Sequence, residues 1–264
     1  MAIATVSKSN KMVAPNGGQP RHPPDWQDPP SRRRRPELRI VLAFAVLAGA
    51  LWGFIWLAGE VLEGDTLAFD TRLLLLLRNS ADRSDPLGPL WFEEMARDFT
   101  SLGSVGVLTL VTLAVVGFLV LARRRAAALT TVVCIGGGWL VTEALKHGFE
   151  RPRPDLVPHG AVVFTSSFPS SHAAMSAVVY LTLGVLLARV QPGRSLKIFF
   201  ISAAVFLTVL VGVSRVYLAV HWPSDVLAGW TAGGAWALAC WLAIRWLQLR
   251  GQVERDTSSQ GENG

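Results

Sequence analysis

An all-α, polytopic membrane protein is the fold class this sequence predicts, and three observations carry that prediction. Of 264 residues, 51% are hydrophobic and 17% charged, against roughly a quarter charged in a soluble domain. Mean hydropathy is positive, at +0.37. The apolar residues also come in long uncharged runs, 40–59, 102–122, 126–142, 173–188, 198–214 and 226–244. About 17–25 apolar residues carry a helix across the hydrocarbon layer, so the runs read as six transmembrane helices. The run 173–188 is short and needs a turn from either flank.

Residues 1–37 hold seven of the fifteen prolines. They have too little apolar surface to fold, so a disordered cytoplasmic arm is expected there. Residues 38–250 form the six-span domain, and 251–264 a disordered tail. No A-x-A-like site follows the first run, which reads as an uncleaved anchor. The loop 60–101 contains "FDTRLLLLLRN" at 69–79 and "PLWFEEMARDF" at 89–99. Both are too short to span and are expected to be interfacial helices in this first outer loop. Gly136 to Gly138, and the G-x-x-x-G of Gly229 and Gly233, predict close helix packing. Cys134 and Cys240 show no zinc spacing and read as small core residues. Trp222 and the other tryptophans are expected in the interface belt.

Charge sets the orientation. A formal net charge of +6 is compatible with nucleic-acid binding, but the cations stand beside the apolar runs. Arg32 to Arg35 and Arg39 precede the first run, and Arg123, Arg124 and Arg125 join the second to the third. Arg189, Arg194 and Lys197 join the fourth to the fifth, and Arg245 and Arg250 follow the last. Basic short connections are the usual signal for the cytoplasmic side, so the charge reads as topology and no nucleic-acid partner is expected. The loop 60–101 holds nine acidic residues against four arginines and belongs outside. Both termini then lie in the cytoplasm.

This topology brings the remaining polar groups to one membrane face. Lys146 closes the third span, and "RPRPD" follows at 151–155. "FPSSH" at 168–172 opens the fourth span, Ser214 and Arg215 close the fifth, and His221 and Asp225 flank the start of the sixth. Lys146, Arg153 and Arg215 are three cations, and arginine's planar fork matches phosphate oxygens. "PSSH" sets a proline near a helix start, whose first-turn amides can hold the same anion. His172 and His221 suit proton transfer near neutral pH. Asp225, four residues after His221, can hold one ring nitrogen and fix the tautomer. A transporter with a charged network would set such groups mid-span, often in broken helices. Charges at span ends favour an enzyme open to lipid headgroups.

With these residues the chain resembles the type 2 phosphatidic acid phosphatase superfamily of integral membrane lipid phosphatases. Its signatures K-x6-R-P, P-S-G-H and S-R-x5-H-x3-D correspond to "KHGFERPRP" from Lys146 to Pro154, "PSSH" from Pro169 to His172, and "SRVYLAVHWPSD" from Ser214 to Asp225. Spacing and order agree. Ser171 stands where the family most often has glycine, and serine keeps the amide while adding a hydroxyl. The resemblance implies a phosphatase without metal or cofactor. In it His221 attacks phosphorus, Asp225 orients His221, and His172 protonates the leaving oxygen and then activates water. Lys146, Arg153, Ser170, Ser171 and Arg215 would bind the phosphoryl oxygens. It also implies a lipid phosphate substrate met at the outer face of a bacterial inner membrane.

Undecaprenyl diphosphate is the leading substrate, with phosphatidylglycerophosphate and phosphatidate as alternatives. The outward site, the leucine run 73–77 as a lateral entrance, and Arg151 as a cation for a second phosphate support it. Glu143, one turn before Lys146, is expected to pair with that lysine. His147, Arg151, Asp155 and His159 otherwise read as solvated loop residues. A cysteine placed at His159 is predicted to react with an impermeant thiol reagent on intact cells. Labelling only after lysis would overturn the orientation.

Overall fold

The computed structural model describes residues 34–155 and 166–249. Most of the N-terminal arm, the C-terminal tail and His159 therefore lie outside the described residues. Among the described residues, eight helices follow one another: α1 (Arg34–Glu63), α2 (Leu67–Leu75), α3 (Leu90–Ser101), α4 (Val105–Leu121), α5 (Arg125–His147), α6 (Ser171–Val190), α7 (Arg194–Tyr217) and α8 (Pro223–Leu249). Among the described residues, extended pairing is confined to one isolated bridge, Arg78 with Pro86. The protein is all-helical, as its composition implies.

Among the described residues, five helices (α1, α5, α6, α7 and α8) are long and apolar enough to cross a membrane, and α3 with α4 makes a sixth candidate bent by 49°. The short run 173–188 gains its flanks, because α6 starts at Ser171 and ends at Val190. The run 102–122 behaves differently. Its helix, α4, has 17 residues, and the chain breaks at Leu102–Ser104 before continuing from α3. Gly103 marks the break, since a Cβ there would lie 2.4 Å from Val211 Cγ1 and 3.3 Å from His172 Cβ. Ser104 starts α4 by accepting a hydrogen bond from Val107 N at 3.3 Å. Continuous hydropathy hid this bend, which glycine and a capping serine produce.

Helix α6 lies at the centre, packed on α4, α5, α7 and α8. Lipid tails are as apolar as the helices, so association depends on backbones coming close. The expected G-x-x-x-G contact is present, and its partner is the first half of α6. A Cβ at Gly229 would sit 2.6 Å from Ser170 O, and one at Gly233 would sit 2.3 Å from Ala174 O. Gly138 meets Val178 in the same way, and Gly184 meets Ala204. Two tryptophans expected at the interface instead tie helices together. Trp236 Nε1 donates to Cys134 O at 2.7 Å, and Trp230 Nε1 to Thr208 O at 3.0 Å. Cys134 is buried, Cys240 half-buried, and both are free thiols.

These contacts fix direction as well as distance. Gly229 and Gly233 meet α6 in ascending order, so α6 and α8 run parallel. Thr142 lies against Met175 while Gly138 lies against Val178, so α5 runs antiparallel to α6. Thr208 meets Ser176 while Gly184 meets Ala204, so α7 does too. The C-termini of α5 and α7 and the N-termini of α6 and α8 therefore gather at one end of the bundle. That end holds Lys146, Arg153, Ser170, Ser171, His172, Arg215, His221 and Asp225.

Candidate functional site

Three loops interlock at this end. Lys146, in the last turn of α5, donates from Nζ to Ser166 O at 3.3 Å. Ser167 N donates to Arg151 O at 2.9 Å, and Trp222 Nε1 donates to Pro152 O at 3.0 Å. Trp222 is thus a buried clamp on the first loop, not part of an interface belt. Ser170 N donates to Asp225 O at 3.0 Å, joining the second loop to the third. The Phe168–Pro169 peptide is cis.

Each loop also has a local reason for its path. Ser170 is the N-cap of α6, its Oγ accepting from Ala173 N at 3.5 Å. The Ser171 and His172 amides follow it in the first turn, where a helix offers no acceptor of its own. They carry the positive end of the helix dipole. Helix α7 closes with Ala219 N on Val216 O at 2.9 Å and Val220 N on Arg215 O at 3.2 Å. This is a Schellman pattern. Its left-handed position is Ala219, with φ 55°, where an L-residue costs roughly 1 kcal/mol relative to glycine. The turn sends the chain back over the end of α7 and delivers His221.

Asp225 is the centre of the site and is fully buried. Its Oδ1 accepts from Arg151 Nη1 at 2.6 Å. Its Oδ2 accepts from Trp222 N at 2.9 Å and from Ser167 Oγ, and faces His221 Nδ1 at 3.4 Å. On the other side of the ring, His221 Nε2 lies 3.1 Å from Arg153 Nη1, which also donates to Val220 O at 2.9 Å. A guanidinium has only donors and a carboxylate only acceptors. The two neighbours therefore select one tautomer, with the proton on Nδ1 and a lone pair on Nε2. Burial pushes the His221 imidazole down from its ordinary 6.5 to about 4. Arg215 and Arg153 push the same way, and the bond to Asp225 opposes them. The ring is neutral at physiological pH.

The cations converge as expected. Lys146, Arg153, Arg215 and His221 all lie within Coulombic range of His172. Arg215 Nη1 donates to Thr100 Oγ1 at 3.3 Å, and its buried Nε has no hydrogen-bond partner. A buried donor without an acceptor is costly and marks a place for an anion's oxygen. Burial also lowers the Arg153 pKa below its ordinary value, while Asp225 acts against it. The Ser170 amide donates to Asp225 O and its Oγ accepts at the cap, so its O–H, the Ser171 hydroxyl and the amides of Ser171 and His172 are left as donors for a ligand. Among the described residues, no three His, Cys, Asp or Glu side chains gather so that they could hold a metal ion.

Two pairings differ from expectation. Glu143 faces His147 at 3.7 Å, while Lys146 turns to Ser166 O. Arg151 is not a solvated loop residue. Its side chain is 10% exposed and bridges Asp70 and Asp225, so it is not available for a second phosphate. Ser167, Asp70, Thr100 and Gly103 also belong to this end of the bundle and escaped the sequence reading.

A model of the PAP2 superfamily matches residues 127–249. Phosphatidylglycerophosphatase B of Bacillus subtilis is 34% identical over 147 residues, covering 54% of this chain and 70% of that protein. The chain belongs to the PAP2 superfamily. It is a membrane phosphatase of that family. An undecaprenyl-diphosphatase of Sulfolobus acidocaldarius is 31% identical over 120 residues, 44% of this chain and 54% of that protein. The crystal structure of a transmembrane PAP2 type phosphatidylglycerolphosphate phosphatase from B. subtilis superposes with a TM-score of 0.66 at 25% identity. It covers 79% of this chain and 98% of that one.

The site makes a titration prediction. In detergent-solubilised protein with ¹⁵N-labelled histidine, His221 should stay the neutral Nδ1–H tautomer from pH 8 to pH 5 and take up its proton at about 4. The unfolded chain binds that proton near 6.5, so this group's contribution to stability falls as pH drops from about 6.5 to about 4. A His221 signal titrating at 6.5 would contradict the buried, oriented ring.

Proposed function

We propose that this PAP2 phosphatase removes the terminal phosphoryl group of a membrane lipid through a phosphohistidine on His221. The observation that carries the reading is the held tautomer, which presents the Nε2 lone pair beside Arg153 and within Coulombic range of Arg215. The reaction starts when Nε2 attacks phosphorus. The N–P bond forms, the P–O bond to the lipid breaks, and His172, which takes up a proton from water once the anionic phosphate offsets the surrounding cations, gives that proton to the departing oxygen. Arg153, Lys146, Arg215 and the Ser171 and His172 amides hold the three phosphoryl oxygens as their charge redistributes. His172, now neutral, takes a proton from water, and the resulting hydroxide attacks phosphorus. The N–P bond breaks, its electron pair returns to Nε2, and inorganic phosphate leaves. Neutralisation by fixed cations supports a reaction that needs no metal.

For the substrate, the site reads a terminal phosphate and leaves the tail open. Undecaprenyl diphosphate and phosphatidylglycerophosphate both present that group, and the chain is similar to relatives named for each. The second of these readings gains weight because Arg151 is taken up by two aspartates. We therefore propose a tail-tolerant enzyme that accepts both, with phosphatidate as a further substrate. A groove along α2, lined by Leu67, Ala68, Thr71, Leu75 and Leu76 with Arg72 beside them, offers mostly apolar surface for a tail. The basic connections support placing the site on the outer face of a bacterial inner membrane, with both termini in the cytoplasm.

Purified protein in detergent with EDTA should release phosphate from undecaprenyl diphosphate, phosphatidylglycerophosphate and phosphatidate. His221→Ala should lower kcat by about a thousandfold or more, and Asp225→Asn by about a hundredfold. Turnover of one lipid alone would end the tail-tolerant reading. Near-full activity of His221→Ala would end the mechanism.

A further inference from the structure

Asp70 lies on α2, between the first and second expected spans, far in sequence from the three signatures. It is fully buried. Its Oδ2 accepts from Arg151 Nη2 at 2.7 Å and from Ser224 Oγ, and its Oδ1 accepts from Ser224 N at 2.8 Å. Arg151 completes the link: Nη1 reaches Asp225 Oδ1 at 2.6 Å and Ser224 Oγ at 2.7 Å, and Nη2 reaches Thr66 Oγ1 at 3.0 Å. The guanidinium also stacks over Trp222, 5.7 Å from the ring centroid. A continuous chain runs from Asp70 through Arg151 and Asp225 to His221.

We propose that Asp70 and Arg151 are positioning residues that set the charge behind the His221 nucleophile; this rests on the phosphohistidine reading above. Once Nε2 bonds to phosphorus while Nδ1 keeps its proton, the imidazole carries a positive charge. Two carboxylates and one guanidinium leave one net negative charge behind the ring to balance it. Without Asp70, Arg151 would cancel Asp225, and the cationic ring would face a neutral pair. A buried site screens such a change weakly. Ser167 and the Trp222 amide hold Asp225 Oδ2 whether or not Arg151 holds Oδ1, and Asp70 keeps Arg151 from neutralising the carboxylate. Arg151's planar fork lets one side chain serve both carboxylates.

The test uses the full chain in detergent with phosphatidylglycerophosphate. Asp70→Asn is close in shape and removes one charge. It should lower kcat at least tenfold and leave KM within twofold. His221 should resist protonation further than in the wild type, its titration moving to lower pH because less negative charge supports the imidazolium. A merely structural role moves that titration the other way, since loosening hydrates the ring and returns it toward 6.5. The double variant Asp70→Asn with Arg151→Gln restores the net negative charge and should recover kcat above Asp70→Asn alone. Wild-type kcat in Asp70→Asn, an upward shift of the His221 titration, or no recovery in the double variant would each overturn the proposal. His221→Ala, measured beside them, separates the two ideas. If it is inactive while Asp70→Asn is unimpaired, only this inference fails.

Discussion

A buried carboxylate at the end of a membrane bundle needs every lone pair satisfied, and Asp225 shows how the chain meets that demand. Arg151 comes from the first loop, Ser167 from the second, and the Trp222 amide and His221 from the third. Taking an ion out of water costs several kcal/mol even after relaxation, so the three loops are held to one another by the need to surround this group. The same bonds decide which nitrogen of His221 carries the proton. Orientation of the ring and closure of the site are one constraint.

That arrangement is possible because the helices beneath it come unusually close. Gly229 lets α8 touch the carbonyl of Ser170, the residue that caps α6. The start of α6, with its unpaired amides, is thereby set beside the start of α8, with Asp225. Gly103 does the same on the other flank, where the α3–α4 bend reaches His172 and Thr100 meets Arg215. Small residues are often read as packing alone. Here they determine how far the start of α6 and Arg215 stand from His221.

Much of this was legible in the sequence, because it depends on local pattern. Long apolar runs give the helices, and Lys146, Arg153, His172, Arg215, His221 and Asp225 follow from residue type, spacing and span ends. Asp70 and Arg151 were not legible, since their meeting spans 81 positions and no local periodicity encodes it. The available signal was Asp70 itself, an acid just before the leucine run 73–77. Arg151 was misread because loop arginines are usually solvated, and only the buried partners show otherwise. The α3–α4 bend was hidden because hydropathy continues across Gly103 while the backbone does not. Trp222 looked like an interface residue until its indole was found donating to Pro152 O.

The central claim is that His221 Nε2 accepts the phosphoryl group. Rapid quenching of the full chain during turnover of lipid labelled in its terminal phosphate tests it most directly. Mass spectrometry of the quenched protein should then locate the phosphoryl group. The account predicts a labelled, acid-labile, base-stable phosphoryl group on the peptide carrying His221, absent from His221→Ala and from protein quenched without lipid. Label on His172 instead, or full turnover with no phosphoenzyme formed at a competent rate, would contradict it.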